Sequence, residues 1–84
     1  MLDYYFTFRS ITAAQQAVME LIKSGLSAYL LRAPKALATK GCGYAVRILF
    51  QSGTLAASVL RKSGISYMKC FQMGISGEWK EVYL

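Results

Sequence analysis

Histidine is absent from this 84-residue sequence, proline occurs once, and four acidic residues stand against ten Lys and Arg. Each scarcity removes a class of chemistry. Without imidazole there is no Ser-His-Asp or Cys-His relay and no nitrogen ligand for a metal. Two thiols do not fill a tetrahedral zinc site, and no acidic residue falls between Glu20 and Glu78. Hydrolase and metalloenzyme readings are therefore excluded, and neither a metal nor a cofactor is implied. Long apolar runs are missing too. The longest uncharged stretch, Ile48 to Leu60, is 13 residues and is broken by Gln51, Ser52 and Gly53. A membrane span needs about 18 or more. The opening Met1-Leu2-Asp3-Tyr4 has no basic region of a signal peptide, so the two Cys are expected as reduced thiols in a cytoplasm.

What is present is apolar and basic. The hydrophobic fraction of 55% and charged fraction of 17% favour a folded domain with some sticky surface over a disordered tail. A chain this short buries roughly 60–65% of its unfolded surface, which allows one domain, residues 1–84, and a modest core. Lys23, Arg32, Lys35, Lys40, Arg47, Arg61, Lys62 and Lys69 all lie in the stretch without acids. That surplus is either a solvated surface or a site for an anion, an acidic partner or nucleic acid.

An internal repeat organises the chain. Lys23-Ser24-Gly25-Leu26-Ser27 recurs as Lys62-Ser63-Gly64-Ile65-Ser66, an offset of 39 residues. Each copy follows an amphipathic helix pattern and precedes a β-rich run, with Gly where a helix end needs a left-handed residue. Tyr4 to Phe8 reads as the first strand, then Ser10 as N-cap of a helix with the stripe Ile11, Ala14, Val18, Leu21 and Ile22. Ser27 to Arg32 is the second strand, Pro34 to Gly43 a basic connection, and Tyr44 to Phe50 the third strand. A shorter helix turns Leu55, Ala56, Val59 and Leu60 inward, and Ser66 to Met73 is the fourth strand. Glu78 to Leu84 is a tail able to add an edge strand. The order βαββαβ is the ferredoxin-like, split-βαβ pattern: an α+β fold with a four-stranded antiparallel sheet. Right-handed crossovers put both helices on one face and leave the other open. The connection ahead of Gly43 then meets the sheet end where the Ser10 helix begins.

The sharpest local feature is Lys40-Gly41-Cys42-Gly43, with Pro34 and Lys35 upstream and Arg47 downstream. A thiol between two glycines has little cover, and cations and helix-terminal amides favour its anion. Lowering its pKa by about two units from about 8.5 makes most of it thiolate at pH 7, for roughly 2.7 kcal/mol of differential stabilisation. The alternative is a small, semi-buried Cys at a strand start. Cys70, mid-strand among Met68, Phe71 and Met73, reads as packing, and that placement argues against a Cys42–Cys70 disulfide.

These residues also carry a resemblance. Tyr4-Tyr5-Phe6-Thr7-Phe8 followed by Ser10, Leu21-Ile22-Lys23-Ser24-Gly25, and Leu30-Leu31-Arg32-Ala33-Pro34-Lys35 leading to Cys42-Gly43-Tyr44-Ala45-Val46-Arg47 resemble the selenium/sulfur carrier-like family of small bacterial domains. The resemblance runs from Tyr4 to about Tyr67. Cys42 and Gly43 match its Cys-Gly, Pro34 and Lys35 its Pro-basic pair, and Arg47 its basic strand residue. It implies a cysteine that holds sulfur or selenium as a persulfide-like group, with protein donors and acceptors.

A second resemblance competes. RNA-recognition-motif domains share the element order and carry a Lys/Arg-Gly-aromatic-Gly/Ala-Phe-Val-x-aromatic strand. Lys40, Gly41 and Gly43 agree and Tyr44 nearly does, but Cys42 and Arg47 stand where stacking aromatics belong. Stacking is worth about 1–3 kcal/mol per base, so most of the binding logic is lost, although Tyr5, Tyr29 and Tyr67 could form another platform on the open face. The sequence reading is thus a non-enzymatic thiol carrier. Cys42 is the carrier thiol, Gly41 and Gly43 give access, Pro34 shapes the loop, and Lys35, Lys40 and Arg47 stabilise the anion. A single-stranded nucleic-acid binder and a regulatory homodimer joined through the open sheet face are the alternatives.

Overall fold

The computed structural model describes residues 3–38, 43–49 and 53–84. Seven elements follow one another: β1 (Tyr4–Phe8), α1 (Ile11–Lys23), β2 (Ala28–Arg32), β3 (Tyr44–Ile48), α2 (Gly53–Lys62), β4 (Cys70–Met73) and β5 (Trp79–Val82). They form an α+β fold with one antiparallel sheet in the order β2-β3-β1-β4-β5. β3 lies between β1 and β2, and β1 between β3 and β4, so the two βαβ halves interleave. The sheet has five strands rather than four. The added strand is the C-terminal tail, reversed at Gly77, whose φ of 86° suits a residue without Cβ. Backbone bonds from Gly77 to Gly74 and from Gly74 to Glu78 close that hairpin at 2.9 and 2.7 Å. The Trp79 ring then meets Tyr5 edge-on, centroids 4.8 Å apart.

Both helix ends repeat one device. After α1, the amide of Gly25 donates to Ile22 and that of Leu26 to Leu21, at 2.9 and 3.0 Å; after α2, Gly64 donates to Arg61 and Ile65 to Leu60, at 3.1 and 2.9 Å. These are paired Schellman motifs, with Gly25 and Gly64 at φ 86° and 72°. The repeated Lys-Ser-Gly segment is therefore a repeated helix stop. At the other end of α1, Ser10 Oγ accepts from the amide of Ala13 at 3.1 Å, the expected cap.

The core lies between the helices and one sheet face, built from Phe6, Phe8, Ala14, Ala17, Leu21, Val46, Ile48, Ala56, Ala57, Leu60 and Cys70. The helix stripes match those expected at Ala14, Leu21, Ala56 and Leu60 and differ at their borders. Ile11 and Ile22 are 43% and 55% exposed, and Leu55 is 52% exposed. The inward positions of α1 are Ala14, Ala17 and Leu21, and those of α2 are Gly53, Ala56, Ala57 and Leu60. Small residues let the helices sit close to the sheet, and the larger Ile11 and Ile22 fall roughly a quarter turn away, on the flank.

The ladder of β4 begins at Cys70, four residues later than the expected Ser66. The amide of Thr7 donates to Lys69 O at 2.9 Å while Thr7 O accepts from Met68 at 2.8 Å. Two residues of one strand thus oppose one of the other, a β-bulge. The amide left over, on Lys69, donates to Thr7 Oγ1 at 3.1 Å, so the buried hydroxyl completes the bulge. The β3 ladder ends at Ile48; the expected end at Phe50 lies outside the described residues.

Candidate functional site

Strand register gathers one end of the sheet. Tyr44, the first residue of β3, is opposite Phe8, the last of β1, and opposite Arg32, the last of β2. Gly43 therefore stands where β1 gives way to the capped start of α1. Its carbonyl accepts from the amide of Ala33 at 3.1 Å, which fixes the base of the connection between β2 and β3. On the other side of that base, Pro34 O accepts from Leu37 and Ala38 at 2.7 and 2.9 Å. Leu37 is 1% exposed and anchors the turn, while Lys35 on the same turn is exposed. Among the described residues, and setting aside the chain neighbours, no heavy atom lies within 4 Å of where a Cβ on Gly43 would stand. Gly43, Pro34 and Lys35 are thus collected at one sheet end; Lys40, Gly41 and Cys42 lie outside the described residues.

Two cations at that end were not singled out from the sequence. Arg9 is exposed immediately before the Ser10 cap, and Arg32 lies over the Tyr44 ring at 5.6 Å on the helix-covered face. The signal for both was positional: Arg32 ends β2 and Arg9 follows the last residue of β1, and register brings both strand ends beside the start of β3. The first turn of α1 holds no acidic residue, so its amide ends add an uncompensated positive field there.

Arg47 is placed elsewhere. It sits four residues further along β3, about 13 Å from Gly43 at strand rise. Its Nε and Nη2 donate to one carboxylate oxygen of Asp3 at 2.8 and 2.6 Å, and its guanidinium lies 5.9 Å from the Tyr5 ring centre. The bond to Asp3 holds the guanidinium pKa above its ordinary value. The structure does not bring Arg47 beside Gly43.

Arg47 belongs instead to the sheet face opposite the helices, with Tyr5, Tyr29, Phe71 and Trp79. Its charges are met in pairs: Arg47 with Asp3 at 2.6 Å and Lys69 with Glu81 at 3.8 Å. Tyr67 is not on that face. The bulge turns it to the helix side, where it meets Phe6 edge-on at 4.7 Å. Tyr5 is only 9% exposed, which leaves Tyr29, at 56%, as the accessible ring of the three tyrosines considered for stacking.

Cys70 is a free thiol on the helix-covered face opposite Phe6, 1% exposed. Burial pushes its pKa up to about 12, which keeps it protonated and unreactive at neutral pH. Among the described residues, no helix is long and apolar enough to cross a membrane.

No curated protein and no solved structure matches the chain. Residues 3–72, from the Arg47-bound Asp3 to the middle of β4, match one family throughout, so the chain belongs to the family described as "Putative Se/S carrier protein-like".

Proposed function

We propose that this chain is a carrier for sulfane sulfur or selenium, held on Cys42 of a ferredoxin-like frame and passed between proteins of the bacterial cytoplasm. The observation that carries the reading is family membership over residues 3–72 together with an open Gly43 at a cationic sheet end. The Cys42 thiolate attacks the outer sulfur of a donor's cysteine persulfide. The S–S bond of the donor breaks, its cysteine leaves as thiolate, and Cys42 becomes a persulfide. An acceptor thiolate then attacks that outer sulfur and releases Cys42 as thiolate, so neither transfer changes the total oxidation state. Selenium follows the same two displacements.

Lys35 and Lys40 supply positive charge on the connection, Gly41 and Gly43 leave room for a partner's sulfur, and Pro34 sets the turn that presents Lys35. Arg9, Arg32 and the uncompensated start of α1 support the same end of the sheet. Arg47, about 13 Å away on the open face and paired with Asp3, stays outside this set and is offered instead as a contact for a partner docked on that face. Exposure to a low-molecular-weight persulfide followed by intact-mass measurement tests the reading. One added sulfur is expected on the wild type and on Cys70→Ser, and none on Cys42→Ser. Equal, slow modification of both thiols would end the carrier reading.

A further inference from the structure

Among the described residues no further strand pairs with β2 or β5, and these two edges of the sheet are unlike. β5 places Lys80 and Glu81 in its four residues, charges of the kind that discourage strand pairing. β2 has none between Ala28 and Leu31, and its Tyr29 and Leu30 are 56% and 37% exposed. The bonds at either end of β2, Leu49 to Ser27 O at 3.2 Å and Ala33 to Gly43 O at 3.1 Å, fix its polarity. Alternation then turns the amides and carbonyls of Ser27, Tyr29, Leu31 and Ala33 toward β3. Those of Ala28, Leu30 and Arg32 point outward, along the free edge.

We propose that this edge pairs with the same edge of a second copy, antiparallel and centred on Leu30, joining two five-stranded sheets into one. β2 is self-complementary in that register. Leu30 meets Leu30 of the second copy with both outward hydrogen bonds exchanged, Tyr29 meets Leu31 on the open face, and Ala28 meets Arg32 on the helix face. The charge pattern selects this arrangement. Each Arg32 lies opposite an alanine, and the two guanidinium-bearing positions are separated by about 14 Å, beyond the screening length of about 8 Å at physiological salt. A parallel, in-register pairing would set them side by side. The flank supplies apolar cover. The side of α1 bearing Gln16 and Glu20 faces α2, with Glu20 bonded to Ser63 at 3.3 Å, so the exposed Ile11 and Ile22 border β2 instead. The two Gly43 ends then lie at opposite ends of the joined strands. The pairing does not depend on the chemistry of Cys42.

Sedimentation of the full-length chain tests it. The wild type is expected to be a dimer, and Leu30→Lys and Leu30→Glu, which put like charges directly opposite, are each expected to raise the dimer dissociation constant at least tenfold. An equimolar mixture of the two variants is expected to restore a dimer, which also shows that both still fold. A monomeric wild type, a variant that stays dimeric through the open sheet face, or a mixture that stays monomeric would each overturn the proposal.

Discussion

Cys70 and Thr7 show how single buried side chains are settled in a domain this small. The Cys70 thiolate is disfavoured by burial, so the folded pKa of about 12 lies above the ordinary value of 9.0. Deprotonation then favours the unfolded chain. Stability from this group is complete below about pH 9 and is lost as pH rises toward 12, by up to about 1.4 kcal/mol per pH unit. Urea titrations between pH 8 and 11 are expected to show this loss in the wild type and a shallower one in Cys70→Ala. Thr7 carries the opposite kind of role: its hydroxyl is the acceptor for the Lys69 amide inside the bulge. Replacing it with the near-isosteric valine strands that amide, at an expected cost of about 1–3 kcal/mol in unfolding free energy. A Thr7→Val protein as stable as wild type would mean that the bulge rearranges at no cost. The Asp3–Arg47 pair is different again, with the Arg47 side chain 44% and the Asp3 side chain 14% exposed. Exposed pairs contribute about 0–1 kcal/mol. With Asp3 largely covered, Arg47→Ala removes two hydrogen bonds from that carboxylate and is expected to cost about 1 kcal/mol or more, read from the denaturant midpoint.

At the scale of elements, the glycines after the helices and the glycine that opens α2 set the limits. A Cβ on Gly53 would come within 2.6 Å of Cδ2 of Tyr4, a ring already packed against the core. Gly53→Ala is expected to destabilise by about 1–3 kcal/mol through overpacking, read from the denaturant midpoint. Both helices, their glycine stops and the Ser10 cap were legible in the sequence because each depends on neighbours within a few residues. The inward faces were legible only in part: Ala14, Leu21, Ala56 and Leu60 face inward as expected. Apolar periodicity adds Ile11 and Ile22, whereas the close approach of helix to sheet, which depends on the whole core, selects Ala17 instead. The start of β4 was misplaced for a similar reason. The bulge at Met68 and Lys69 arises from pairing with Thr7, sixty-two residues away, and it alone decides that Tyr67 faces the helices. Pro34, Lys35 and Gly43 were legible as neighbours at one sheet end because they bracket one connection, while Arg9 and Arg32 join them only through register. Arg47 reads as part of the same cluster in sequence, but strand rise and Asp3 set it apart.

For the molecule as a whole, the formal charge of +6 is unevenly expressed. The open sheet face neutralises two of its cations internally, and the sheet end around Gly43 keeps Arg9, Arg32 and Lys35 exposed. That division suits a carrier whose anionic cargo is met at one end while apolar surfaces remain for protein partners. It also bears on nucleic acid. With Tyr67 turned inward and Tyr5 covered, the open face offers little stacking, and affinity for single-stranded RNA is expected to be weak and unchanged by Cys42→Ser. The proposed carrier role rests on one thiol. Its most direct test is intact-mass measurement after treatment with a persulfide donor, followed by addition of an acceptor thiol. The expected result is one added sulfur on Cys42, absent from Cys42→Ser, retained by Cys70→Ser, and lost to the acceptor. Sulfur added indifferently to both cysteines, or to neither, would contradict it.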